Sequence, residues 1–211
     1  GTAKASSRSA TGTRSSGRGR RGQQTNYRPH MIVGGAVVIL IVVAAVVFQV
    51  ATGSGASADF EFSVYQGQEL LGGEQVNFSQ VLDDGKPVVL NFWAGNCPPC
   101  RAEMPALQRV WDAHQEEIMF VGLDVGTFTG LGNKQSAIAL LQELNVTYPA
   151  GGPPNRTPLV NYSVRSMPTT VFFGADGQVF QRWDGAISEF QMNNIVSAML
   201  AEASEQPVPS G

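Results

Sequence analysis

The stretch PVVLNFWAGNCPPC, residues 87–100, constrains the fold most because it joins a strand pattern to a cysteine pair. Residues 87–94 form a nearly continuous apolar run, which is typical of a strand buried on both faces. Apolar residues then recur with helical spacing from Pro98 to Glu117. Pro98 and Pro99 suit a first helical turn, because they have no N–H to leave unpaired. The order predicts a buried strand, a short loop and a helix that begins at the cysteines.

Cys97 and Cys100 are the only two cysteines in the 211-residue sequence, which limits what the pair can do. A structural zinc site needs four ligands, and only His30 and His114 could supplement the two thiolates. We therefore expect no metal. A purely structural disulfide across two intervening residues closes a very small loop, so it removes little entropy from the unfolded chain.

A redox role for the pair has positive support from its position. The N-terminus of a helix favours a thiolate at Cys97, and Cys100 follows one turn into the helix. We predict that Cys97 attacks a substrate disulfide and that Cys100 resolves the mixed disulfide. The Cys97–Cys100 disulfide would then be the redox-active group, and we expect no further cofactor.

The N-terminal region differs sharply in composition from the rest of the chain. Residues 1–30 are rich in Gly, Ser, Thr and Arg and lack acidic residues, which predicts a disordered basic tail. Residues 31–48 are uncharged and apolar, and as a helix they would span about 27 Å, close to a bilayer core. Positive charge flanks only their N-terminal side, so we expect a signal anchor with a cytoplasmic tail and an extracytoplasmic remainder. Cleavage of the anchor after the Ala-Ser-Ala at 56–58 stays open.

The remainder divides into a linker over 49–58, one domain over 59–205 and a flexible C-terminus over 206–211. Apolar patterns predict strands near 60–65, 87–94 and 118–125, a hairpin over 169–183, and helices over 98–117, 133–146 and 188–203. The Gly-rich segments 126–132 and 148–158 are expected to be irregular. The alternation predicts an α/β fold with a mixed central sheet and helices on both faces.

Three motifs together resemble the thioredoxin superfamily: VVLNFWAGNCPPCRAEMP at 88–105, MPTT at 167–170 and VFFGADGQV at 171–179. The likeness is greatest to the membrane-anchored, extracytoplasmic TlpA/ResA/CcmG (DsbE-like) branch of bacterial redoxins, whose domain is of the AhpC/TSA type. The resemblance implies a thioredoxin-like fold with an N-terminal β-hairpin and a central helix-bearing insertion, preceded by one transmembrane helix.

The same resemblance implies which residues meet the substrate. Met167-Pro168 is expected to be a cis peptide that faces the cysteine pair, and the backbone of Met167 is expected to pair with substrate. Trp93, Pro98 and Pro99 flank the cysteines and are further candidates for substrate binding. The apolar strand that contains Trp93 also makes it a candidate for the core.

Glu103, three residues after Cys100, is the third candidate catalytic residue. The resemblance implies a local proton acceptor whose negative charge disfavours the cysteine thiolates. Asn91 stands where cytosolic thioredoxins carry a titratable Asp, so the acid–base role would pass to Glu103. It also stays open that Glu103 is simply an acidic residue favoured near a helix N-terminus. Asn96, where thioredoxins usually carry Trp, leaves Cys97 with less aromatic cover.

The branch implies an enzyme that reduces protein disulfides outside the cytoplasm. Its substrates would be protein thiols and disulfides, apocytochrome c among them, with electrons from a CcdA-like membrane protein. An oxidase that introduces disulfides into secreted proteins stays open, because the sequence does not set the reduction potential. A thiol peroxidase is disfavoured, since the segment before Cys97 lacks the Pro and Thr of peroxiredoxin sites. All 17 acidic residues lie in 59–205, which argues against nucleic acid as a partner.

Overall fold

The computed structural model describes residues 59–205. The expectations for the tail 1–30, the apolar segment 31–48, the linker 49–58 and residues 206–211 therefore lie outside the described residues. Within 59–205, no helix combines the length and the apolar composition needed to cross a bilayer.

The described residues form seven strands and seven helices, and each predicted element is present within a few residues of its expected bounds. The strands are β1 (Glu61–Gln66), β2 (Gln75–Asn77), β3 (Val88–Trp93), β4 (Met119–Asp124), β5 (Ala150–Gly152), β6 (Thr169–Phe173) and β7 (Val179–Asp184). The helices are α1 (Gln68–Leu71), α2 (Phe78–Leu82), α3 (Pro98–His114), α4 (Gly126–Thr129), α5 (Lys134–Glu143), α6 (Thr157–Asn161) and α7 (Glu189–Glu205).

The strands form one mixed sheet in the order β2-β1-β5-β4-β3-β6-β7. Strand β3 runs parallel to β4 and antiparallel to β6. The predicted N-terminal hairpin is confirmed, because β1 and β2 pair antiparallel. The predicted insertion is also present, since α5 lies between β4 and β5 in the chain. Strand β3, which leads to Cys97, is thus an interior strand of the sheet.

Helices cover both faces of the sheet at β3. Alternate side chains of a strand point to opposite faces, and all six residues of β3 are buried. On one face lies Phe120, the register partner of Val89, with its ring 5.6 Å from that of Trp111 on α3. On the other face lies Phe92, with its ring 5.7 Å from that of Tyr162, the residue after α6. The predicted layered architecture is confirmed.

The Gly- and Pro-rich segment 148–158 contains a strand, so the prediction that it is irregular was wrong. Strand β5 (Ala150–Gly152) pairs with both β1 and β4. The glycines permit this pairing, because a Cβ at Gly151 would collide with the carbonyl oxygen of Ser63 on β1. The other segment expected to be irregular, 126–132, contains the single helical turn α4.

Candidate active site

The cysteine pair lies at the junction of β3 and α3, as the sequence predicts. Cys97 is the N-cap residue of α3 and forms a disulfide with Cys100. The amide N–H of Cys100 donates to Cys97 Sγ over 3.3 Å. Amides in the first turn of a helix have no partner within the helix, so this one stabilises negative charge on Sγ once the disulfide opens.

The two cysteines differ in access. The exposed fraction is 3% for Cys97 and 0% for Cys100, whereas Pro98 and Pro99 beside them are exposed. Of the two residues, Cys97 therefore keeps the small surface that is open to solvent. This difference agrees with the predicted order of attack and resolution, and both prolines lie on the surface beside the cysteines.

The loop that carries Cys97 is braced by the insertion between β4 and β5. A Cβ at Gly95 would lie 2.6 Å from the backbone nitrogen of Ala137 on α5, so only glycine fits there without a shift. The amide of Asn96 donates to the carbonyl oxygen of Leu131 over 2.8 Å. The geometry of the loop thus depends on residues about 40 positions later in the chain.

Glu103 is buried on the inward side of α3, with an exposed fraction of 2%. Its Oε1 accepts a hydrogen bond from Asn91 Nδ2 over 2.9 Å, and its Oε2 accepts one from the amide of Ile187 over 3.0 Å. Burial raises the pKa of Glu103 to about 7, although both hydrogen bonds favour the charged form and oppose the shift. Both forms of the Glu103 carboxyl are therefore populated near neutral pH, and its burial distinguishes it from an exposed acidic residue near a helix N-terminus.

Asn91 orients this carboxyl from the centre of β3. Its Nδ2 also donates to Thr170 Oγ1 over 3.0 Å, so one side-chain amide ties α3 to β6. The sequence analysis missed Thr170 and Ile187 as members of the site. The MPTT motif contained a signal for Thr170, whereas the contribution of Ile187 is a backbone amide and has no side-chain signature.

A second buried carboxyl, that of Asp124, lies at the end of β4 and was not singled out from the sequence. It is 4% exposed, and burial raises its pKa. Its Oδ1 accepts from the amide of Gly126 over 2.9 Å, and its Oδ2 accepts from the Tyr65 hydroxyl over 3.5 Å. Its position as an acidic residue at the end of an apolar strand pattern was the sequence signal that could have identified Asp124. Its partners differ from those of Glu103, so the two carboxyls belong to separate hydrogen-bonded groups.

Met167-Pro168 is a cis peptide, as the resemblance implied. Strand β6 pairs Thr169 with Phe92, and continuing this antiparallel register places Met167 opposite Ala94, three residues before Cys97. The carbonyl oxygen of Pro168 accepts a hydrogen bond from the amide of Gly185. Among the described residues, neither the amide nor the carbonyl group of Met167 forms a hydrogen bond. The backbone of Met167 is therefore available to a bound chain.

Trp93 has an exposed fraction of 0% and lies in the core. Its predicted contact with substrate does not fit this burial, whereas the prediction that it belongs to the core does. Among residues 59–205, no group of three or more His, Cys, Asp or Glu side chains is arranged to hold a metal ion. The sulfur atoms of the disulfide are the redox-active groups that these residues supply.

The fold and the cysteine pair agree with the relationships of the chain to known proteins. The model of the AhpC/TSA family matches residues 56–182. The thiol-disulfide oxidoreductase ResA of Oceanobacillus iheyensis is 31% identical over 164 residues, which cover 72% of this chain and 80% of that protein. The chain therefore belongs to the AhpC/TSA family, and it is a thiol–disulfide oxidoreductase with a thioredoxin-like fold.

Solved structures show the same architecture. The structure of MTB DsbF in mixed oxidized and reduced forms matches with a TM-score of 0.57 and 25% identity, covering 68% of this chain and 97% of that one. The thiol:disulfide interchange protein DsbE from Chlorobium tepidum matches with a TM-score of 0.56 and 22% identity, covering 68% and 94%. These likenesses confirm the predicted thioredoxin-like fold.

Proposed function

We propose that the chain reduces protein disulfides outside the cytoplasm, with Cys97 as the nucleophile and Cys100 as the resolving cysteine. The observation that carries the proposal is the buried Glu103 carboxyl, one helical turn beyond a Cys100 that has no exposed surface. The site therefore combines Cys97, which keeps a small exposed surface, the fully buried Cys100, and a carboxyl group that can exchange a proton near neutral pH. The relatives named thiol-disulfide oxidoreductase support the same chemistry.

The reaction transfers two electrons through a mixed disulfide. The Cys97 thiolate attacks one sulfur of the substrate disulfide, and the other substrate sulfur leaves as a thiolate and takes a proton. Cys100 then loses its proton and attacks Cys97 Sγ, which releases the second substrate sulfur as a thiol. The substrate is reduced to two thiols, and the enzyme ends with a Cys97–Cys100 disulfide.

Glu103 accepts the proton that Cys100 loses in the second step. A pKa of about 7 means that both forms of the carboxyl are populated near neutral pH, which suits a proton acceptor. Asn91 and the amide of Ile187 hold the carboxyl in one orientation, so it does not have to reorganise during the reaction.

The charge on Glu103 also favours the reducing direction. An ionised carboxyl near the cysteines destabilises their thiolates, which raises the free energy of the reduced form and lowers the reduction potential. The helix N-terminus opposes this by stabilising a thiolate at Cys97. Because Glu103 is buried, its charge is weakly screened, and we propose that it outweighs the helix terminus. Removal of the charge would shift the protein towards a disulfide-forming oxidase.

Substrate binding and cellular location complete the proposal. A substrate strand would pair with the free backbone of Met167 beside Pro168 and rest on Pro98 and Pro99. The basic tail and the apolar segment 31–48 support a single-pass anchor in a bacterial cell membrane, with the domain on the extracytoplasmic side. Apocytochrome c is a candidate substrate there, and a CcdA-like membrane protein is a candidate electron donor. We propose no cofactor beyond the disulfide.

Trapping of the mixed disulfide tests the proposal directly. A Cys100→Ser variant of the full chain cannot resolve the intermediate, so incubation with an oxidised disulfide protein should yield a covalent complex that dithiothreitol releases. A Cys97→Ser variant should yield none. Equal trapping by both variants would overturn the assignment of roles, and the absence of any complex would overturn the exchange reaction.

A further inference from the structure

A groove adjoins Met167. It is a cavity of about 290 Å³, lined among others by four apolar side chains and two arginines: Leu131, Leu159, Val164, Met167, Arg156 and Arg165. Both arginine side chains are exposed. The lining therefore combines an apolar floor with positive charge, which neither the disulfide exchange nor the fold requires.

The groove is continuous with the redox site at two points. Leu131 accepts the hydrogen bond from Asn96, the residue directly before Cys97. Met167 lies opposite Ala94 in the continued register of β3 and β6. A substrate segment that pairs with the Met167 backbone would therefore place the side chains next to its cysteine over this groove.

Within the described residues, no carboxylate pairs with the charge of Arg156 or Arg165. Residues 59–205 contain all 17 acidic residues but only seven of the 14 Lys and Arg residues. Arg101, Arg109 and Arg182 form ion pairs with carboxylates. Within the described residues, Arg156 and Arg165 form no ion pair and no hydrogen bond through their side chains. An acidic domain thus presents two free cations beside its redox centre.

We propose that this groove recognises the substrate: it binds an apolar side chain on its floor and a carboxylate side chain at Arg156 and Arg165. The preferred substrates are then protein disulfides whose cysteine is flanked by an apolar and an acidic residue. The inference deepens the proposed reductase function and rests on it. The guanidinium groups suit this recognition because their planar donors match a carboxylate.

The test compares two peptides that each contain one disulfide and one Leu and differ only in a flanking Glu or Lys. The reduced full chain should have a kcat/KM about threefold to tenfold higher for the Glu peptide, and the difference should lie in KM. An Arg156→Glu/Arg165→Glu variant should reverse the preference. High salt should weaken it, because the two arginines are exposed.

Lys86→Glu is the control for a charge reversal away from the groove, since Lys86 lies just before β3, roughly 20 Å from the cysteine end of that strand. It should retain the preference of the unaltered chain. The neutral bis(2-hydroxyethyl) disulfide should be reduced at the same rate by the unaltered chain and by Lys86→Glu. If that holds but the Glu and Lys peptides react equally in every variant, the groove is not the recognition site. If the unaltered chain reduces neither the neutral disulfide nor either peptide, the proposed function fails and this inference fails with it.

Discussion

The two sides of the Cys97–Cys100 disulfide differ in what they present to it. The inner side is a buried polar group in which Asn91 and Ile187 hold the Glu103 carboxyl. The outer side is an exposed rim of Pro98 and Pro99 and a groove that carries two unpaired arginines.

The difference separates the chemistry from the choice of substrate. Changes on the inner side should alter thiol pKa values, the reduction potential and stability, whichever substrate is used. Changes of the two arginines in the groove should alter which substrates react and leave the thiol chemistry unchanged.

Loss of the accessible sulfur should have the largest effect. Cys97→Ser should lower the rate of insulin disulfide reduction by roughly a thousandfold or more, because a serine hydroxyl cannot replace the thiolate in disulfide exchange. Insulin turbidity with dithiothreitol as the electron source measures this rate. Retained activity would show that Cys100 attacks first, despite its burial.

The pH dependence of stability should report the buried carboxyl. Folding raises the pKa of Glu103 from 4.5 to about 7, so the folded state binds this proton more tightly than the unfolded state. The resulting stabilisation is complete below about pH 4.5 and is lost as the pH rises through 7, a change on the order of 3 kcal/mol.

Urea unfolding of the oxidised protein from pH 4.5 to 8 measures this change, because the cysteines do not titrate while they are joined. The free energy of unfolding of Glu103→Gln, which cannot titrate, is the reference. It should fall less over this range than that of the unaltered chain. Parallel curves for the two proteins would contradict the burial of Glu103.

The close contact between Gly95 in the cysteine loop and Ala137 on α5 should not tolerate an added methyl group. Gly95→Ala places a Cβ 2.6 Å from the backbone nitrogen of Ala137, so it should cost about 1–3 kcal/mol of stability and displace the loop. Thermal unfolding and the rate of reaction with iodoacetamide measure the two effects. Gly72→Ala is the control for an added methyl group, because a Cβ there meets no atom within 4 Å, although its φ of 84° adds backbone strain. If Gly95→Ala costs no more than this control, the brace is unimportant.

The effect of Glu103 on the thiols should be smaller but specific. Glu103→Gln should lower the pKa of Cys97 by about half a unit to one unit, because it removes a negative charge that opposes the thiolate. Thiolate absorbance at 240 nm during a pH titration of the reduced protein follows this pKa. Arg165→Glu, which alters the groove alone, should leave the pKa of Cys97 nearly unchanged. An unmoved titration in Glu103→Gln would mean that the carboxyl does not act on the thiols.

Local sequence patterns were enough to predict strand β3, the loop that follows it and helix α3. Apolar runs, the prolines and the cysteine spacing all lie within about 20 residues, so no distant contact was needed to read them. Strand β5 was missed because its glycines read as breakers, whereas their use depends on the approach of β1 from about 90 residues earlier. The environment of Glu103 likewise depends on hydrogen bonds from Asn91 on β3 and from Ile187 between β7 and α7, and Ile187 is distant from it in the sequence.

The reduction potential of the Cys97/Cys100 couple decides whether the protein acts as a reductant or as an oxidant. Equilibration of the full chain with glutathione buffers or with a thioredoxin standard measures it. We expect a value near that of thioredoxin, about −270 mV, and a less negative value for Glu103→Gln. A potential near about −120 mV, typical of a strong periplasmic oxidant, would contradict the proposal that the buried carboxyl sets this protein up as a reductant.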